Sequence, residues 1–313
     1  MNSDLRAVIG ALPLDVAVVS AAGCAGPELQ PYTDLAGFGA LITRSVTLEA
    51  HPGRPMPRLV ETPAGLLNAI GTPGPGVAGF VSDELPRLVR TGARIIVSIS
   101  ATTVADFGRV AAALRHCDGI SALEINISSP VLEEGVLPFA ADARGAAAVV
   151  HAVRRNTPAA WPVLAKLSGD VADVPSVAIA CRDAGAAAVS LINAVRGVAL
   201  DTDSGVSALG SGLGGLSGPA IRPIALKAVW DVHARAPDLP ILAGGGVTDG
   251  GSALSMVLAG ASAVSVGSGL LNDPRCVDRV TGELDRLVGE RGGSLSALIG
   301  AAHGGSETEW EAG

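Results

Sequence analysis

The sequence predicts a (β/α)8 TIM barrel, and three observations carry the prediction. Eight short apolar runs recur along the chain, most of them followed by a stretch with helical spacing. The runs are apolar almost throughout rather than alternating, as expected of parallel strands covered on both faces. The 313 residues suit a barrel built as one domain. The expected strands lie at Asp15–Ser20, Gly39–Thr43, Ile95–Ser98, Leu123–Ser128, Val163–Leu167, Ala187–Ile192, Pro240–Ala243 and Ala263–Val266. Helical patterns are clearest at Val104–His116, Asp142–Asn156, Val174–Ala184, Pro219–Ala236, Asp249–Ala259 and Cys276–Gly289. A doubly wound open sheet is the alternative, but it calls for a GxGxxG turn after the first strand. The segment from Ser20 to Gly26 does not supply one.

Residues 1–303 are expected to form this single domain, and 304–313, polar and acidic, a disordered tail. Two connections are too long for simple turns, 44–94 and 193–218. Both leave the carboxyl ends of strands, where barrel active sites are built.

Composition narrows the function. Apolar residues make up 48% and charged residues 17%, which excludes a disordered chain. The net charge of −8 argues against a nucleic-acid binder. The cysteines Cys24, Cys117, Cys181 and Cys276 are scattered, with no CxxC pair. That spacing points away from a disulfide framework and from a metal or iron–sulfur site, and it fits a reducing cytoplasm. The first residues lack the basic and apolar regions of a secretion signal, and the two longest uncharged stretches, 62–82 and 250–272, are broken by glycine, proline or serine rather than built to span a membrane.

Three groups of residues carry chemistry. Ala243–Val247 reads AGGGV and ends the seventh strand, and Ser265–Ser268 reads SVGS and ends the eighth. Glycines there let backbone N–H groups approach an anion, and the loops after strands 7 and 8 of barrels often hold phosphate; either patch alone could also be a tight turn. Lys166 stands at the end of an apolar strand, which is costly unless its ammonium meets an anion or a polar cleft. With two lysines against twenty arginines in the chain, each retained lysine is informative. Asn68, Asn126 and Asn193 each end an apolar piece. One such asparagine reads as a cap or turn, but three converging amides could read a ring bearing lactam or imide groups.

These residues sit in segments that resemble the dihydroorotate dehydrogenase family, in its soluble class 1 branch and most closely the NAD-linked members. The segments are Leu41–Glu49 (LITRSVTLE), Glu61–Gly71 (ETPAGLLNAIG), Glu124–Pro130 (EINISSP), Leu191–Asn193 (LIN), Gly214–Leu226 (GGLSGPAIRPIAL) and Ala259–Gly267 (AGASAVSVG). The resemblance spans about 14–290. It implies a barrel that binds FMN noncovalently, works in pyrimidine biosynthesis in the cytoplasm, and forms a homodimer. It also implies that (S)-dihydroorotate is oxidised to orotate by hydride transfer to flavin N5, an oxidation at a CH–CH bond.

Carried over residue by residue, the resemblance makes Lys166 a contact of the flavin ring near N1 and O2, and Ser129 the base on the loop over the substrate. Ser45, Asn126, Gly218, Gly245, Gly246, Gly267 and Ser268 become flavin contacts. Arg44, Asn68, Asn126 and Asn193 become substrate contacts, and no metal is implied. Ser98 stands where many relatives carry asparagine.

Three departures surround the substrate. Arg44 replaces the family's lysine, Val131 its asparagine, and Ala194 its hydroxyl residue. Each lost polar contact leaves a ligand group unpaired at about 1–3 kcal/mol. The alternative reading is therefore an FMN-dependent dehydrogenase or ene-reductase acting on a less polar ring or enone-like substrate, as in secondary metabolism. A flavin-binding protein without chemistry is a third reading, and the retained Ser129, Lys166 and asparagines count against it. The acceptor is left open between NAD through an iron–sulfur flavoprotein subunit and fumarate. Membrane quinone is disfavoured because the chain starts almost at the first strand.

Overall fold

The computed structural model describes residues 3–129 and 139–304. Eight parallel strands form its centre: β1 (Val18–Ser20), β2 (Leu41–Ile42), β3 (Ile95–Ile99), β4 (Ile120–Asn126), β5 (Val163–Lys166), β6 (Ala188–Leu191), β7 (Ile241–Gly244) and β8 (Ala263–Val266). From β2 to β8 each strand pairs in parallel with the next one in the chain, and β8 pairs with β1. The ring closes where the N–H of Gly39 donates to the Val18 carbonyl (2.9 Å) and that of Ser20 to the Ala40 carbonyl (3.1 Å). All eight expected strands are present, and the fold is the (β/α)8 barrel.

The strands read as unbroken apolar runs because both faces are covered; every residue of β3, β6, β7 and β8 is buried. Aliphatic side chains and alanine fill the core, and Phe38, Phe80 and Phe107 are its buried aromatic members. Helices at Val104–Leu114, Ala143–Asn156, Val174–Asp183, Arg222–Arg235, Gly250–Leu258 and Cys276–Gly289 pack outside. Local chemistry starts several of them. The side chains of Thr103, Asp142, Asp173 and Asp249 each accept from a backbone N–H of the first turn, and Asp249 with Ser252 completes a capping box. No helix among the described residues is long and apolar enough to cross a membrane.

Three features go beyond the sequence reading. Ala7–Ile9 and Leu12–Leu14 form an antiparallel hairpin, and Gly10 at its turn lies against Ala187, at the amino end of β6. A helical stretch at 76–89 follows β2, where the sequence reads as loop. Gly74, Gly76, Gly79, Pro75 and Pro86 hide its helical spacing. The two long connections build one structure: Leu59–Thr62, Gly65–Asn68, Gly214–Ser217 and Val195–Gly197 make a four-stranded antiparallel arm. Periodicity of either connection alone does not reveal this, because the central pairing joins Gly215 to Asn68 across the chain. Of the tail expected from 304 on, only Gly304 is among the described residues, where it closes the turn Ala301–Gly304.

Candidate active site

A cavity of about 440 Å³ opens at the carboxyl end of the barrel, within the range of small-ligand sites. Its wall includes Ser45, Asn126, Ser129, Lys166, Gly218, Gly245, Gly246, Gly267, Ser268, Arg44, Asn68 and Asn193, every site residue expected from the sequence. Those residues are spread from 44 to 268 in the chain; barrel closure collects the strand ends and the arm supplies Asn68.

One side of the cavity is a network of amides and hydroxyls. Asn126, the last residue of β4, donates from Nδ2 to Ser45 Oγ (3.0 Å), and Ser45 Oγ lies 3.0 Å from Ser98 Oγ. Asn193 donates from Nδ2 to Asn126 Oδ1 (3.3 Å) and to Ser128 Oγ (3.1 Å). Its own Oδ1 accepts the N–H of Ala194 (2.8 Å), which fixes the amide's orientation. Asn68 donates to the Gly215 carbonyl (3.1 Å) across the arm. Ser98 is thus buried behind Ser45 and supports it.

The opposite side is nearly bare backbone. Gly245 (φ +122°) and Gly246 (φ +79°) adopt conformations that side chains disfavour, and an added Cβ would meet Ala225 Cβ at 2.7 Å or the Gly218 carbonyl at 2.9 Å. Arg222 fastens this loop: Nε donates to the Gly246 carbonyl (2.8 Å) and Nη2 to Thr248 Oγ1 (3.0 Å). Gly267 differs, with φ −102° and its nearest neighbour, Ala21, 3.6 Å from an added Cβ.

At the floor, Lys166 is 14% exposed and its Nζ lies 3.8 Å from Glu124 Oε1. Glu124 and Ser190 join the lining, as do Ala21, Ala22, Gly23 and Cys24 from the loop after β1. The sequence reading assigned these no role. A glutamate inside an apolar strand was the signal that could have found Glu124. Burial pushes the Cys24 thiol up, with Lys166 pulling the other way, so it stays protonated at neutral pH. Arg44 lines the mouth and reaches Glu84 on the 76–89 segment (3.5 Å). Ala194 is also in the wall, whereas Val131 lies outside the described residues.

The model of one family, dihydroorotate dehydrogenase, matches residues 6–288, nearly the whole barrel. The chain belongs to the dihydroorotate dehydrogenase family. Among its relatives is the dihydroorotate dehydrogenase B (NAD(+)) catalytic subunit of Desulforudis audaxviator, 44% identical over 306 residues, 97% of this chain and 99% of that one. The corresponding subunit of Desulforamulus reducens is 40% identical over 306 residues, covering 97% and 100%. That of Citrifermentans bemidjiense is 40% identical over 301 residues, covering 95% and 98%. Membership makes the chain a flavoprotein oxidoreductase acting on CH–CH groups, with FMN as cofactor, as its motifs imply.

The site fits that cofactor. Glycine backbone at the ends of β7 and β8 suits a phosphate, and the half-buried Lys166 ammonium on β5 suits the electron-withdrawing edge of a flavin ring. The amide network suits a small polar ring beside it.

Proposed function

We propose that the chain is the catalytic subunit of an NAD-linked dihydroorotate dehydrogenase, with residues 1–303 serving as one FMN-binding domain. The observation that carries this is a single cavity holding Lys166, Ser129, the three asparagines and the glycine loops together. Bound FMN supplies the hydride acceptor for the oxidation of (S)-dihydroorotate to orotate.

The chain's own residues do the rest. Gly218, Gly245, Gly246, Gly267 and Ser268 hold the phosphate end, and Ser45 and Asn126 hold the ring. Lys166 places a positive charge where reduction makes the ring electron-rich. Asn68, Asn126 and Asn193 orient the substrate by its amide groups, while Arg44 faces its carboxylate from the mouth. Ser129 takes the proton from C5. Serine is a weak base, so it passes that proton on through the hydroxyls and amides nearby or through water; Ser128 and Asn193 form the adjoining hydrogen-bonded pair.

The relatives' names speak of a catalytic subunit and NAD(+), which supports an iron–sulfur flavoprotein partner as the route to NAD. The arm supports a homodimer: Leu59 on its edge and Leu200, Val206 and Leu213 on the loop joining two of its strands are exposed apolar side chains.

Arg44 and Ala194 in the cavity wall favour one rival reading, a changed substrate. An anaerobic titration of the purified holoprotein with (S)-dihydroorotate separates the two. Bleaching of the flavin band is the expected result. A yellow protein bleached by dithionite but untouched by dihydroorotate would leave the flavin site standing and remove the substrate.

A further inference from the structure

Beneath Lys166 lies a carboxylate that the proposed reaction does not use. Glu124 stands two residues before Asn126 on β4, so both side chains leave the same face of the strand. It is 1% exposed. Its Oε2 accepts from Ser190 Oγ on β6 (2.8 Å). Its Oε1 lies 3.8 Å from Lys166 Nζ on β5, beyond hydrogen-bond reach, and accepts no hydrogen bond among the described residues. Three adjacent strands thus bring a carboxylate, a hydroxyl and an ammonium to one floor, and all three residues line the cavity.

Stability does not account for this arrangement. Attraction within a buried pair does little more than offset the cost of taking both charges out of water, and a carboxylate oxygen without a donor adds to that cost. Apolar residues on the three strands would pack the floor as well. What the pair does provide is an ammonium at the cavity floor with a buried carboxylate 3.8 Å beneath it.

We propose that Glu124 is a positioning residue that tethers Lys166 and, by offsetting its charge, sets the reduction potential of the bound flavin; Ser190 holds the carboxylate in place. This rests on the reading of the cavity as the FMN site. Lys166 alone would favour the electron-rich reduced ring strongly. With Glu124 beneath it, the floor is close to neutral, and the potential stays lower.

The test is the potential of bound FMN in Glu124→Gln and Glu124→Asp, measured on the reconstituted chain by equilibration with a reference dye, with FMN affinity followed by fluorescence quenching. Glu124→Gln keeps the shape and removes the charge. It is expected to favour reduction by about tenfold, which is about 30 mV for a two-electron couple. Glu124→Asp keeps the charge and should stay near the wild-type potential. A purely structural role would lower the melting temperature of both variants and leave both potentials unmoved.

An unmoved potential in Glu124→Gln with FMN bound would overturn the inference alone, as would an equal shift in Glu124→Asp. A wild-type chain that retains no FMN would overturn the cofactor reading and this inference with it. If Glu124→Gln does not fold, infrared difference spectra of the wild-type holoprotein decide. A carboxylate band that shifts on flavin reduction and is altered in Glu124→Asp supports the tether; its absence removes it.

Discussion

Ser129 carries the sharpest expectation at the scale of single residues. It lines the cavity, while its neighbour Ser128 is buried and occupied by Asn193. If Ser129 is the base, Ser129→Ala should slow flavin reduction by dihydroorotate by roughly 10²–10⁴-fold while FMN stays bound. Stopped-flow absorbance checks it, and a rate equal to wild type would hand the proton to another group. Asn126 shows why one amide could be read for two tasks. Its Nδ2 donates to Ser45, which the proposal assigns to the flavin, and its Oδ1 accepts from Asn193, which it assigns to the substrate. A single asparagine in the sequence says nothing of this, because each partner arrives from a different strand end.

At the scale of elements, most strands and helices followed from local patterning because barrel strands are buried on both faces and four of the helices begin at a capping side chain. The 76–89 helix was missed because glycine and proline interrupt it, and the arm because its pairing is long-range. Another long-range contact lies on the outer face. His303 stacks on Trp230 with ring centroids 3.8 Å apart and lies 4.9 Å from His233. Burial, and secondarily His303, holds the His233 imidazole below its ordinary 6.5. The unfolded chain therefore binds the proton more readily. The contribution of this contact is complete above pH 6.5 and declines as the pH falls towards the lowered native value. Melting curves between about pH 8 and about pH 5 should show that decline, and His233→Phe should flatten it. A slope unchanged in the variant would place the titration elsewhere.

For the whole molecule, the arm is the feature with consequences beyond the cavity. It has a small core of its own, Leu67, Ala69 and Leu209, yet turns Leu200 and Val206 outward. Burying such side chains stabilises an interface by about 25 cal/mol per Å² of apolar surface. If the arm is the face of the proposed homodimer, Leu200→Asp should yield a monomer in light scattering while the barrel melts as before. A wild-type protein that is monomeric at every concentration would remove the dimer.

The barrel, the places of its eight strands and the residue types at the cavity wall are legible in the amino-acid sequence. Those follow from local rules: uninterrupted apolar runs where both faces are covered, glycine where backbone must stay bare, and a lysine where only an anion or a cleft repays its burial. That 44–94 and 193–218 join into one arm, that Asn68 reaches the site from it, and that Ser98 supports Ser45 emerge from the folded chain alone. The pairing of Glu124 with Lys166 was likewise decided there. Each of these depends on which strand lies beside which, and closing the barrel brings together residues that the chain keeps far apart.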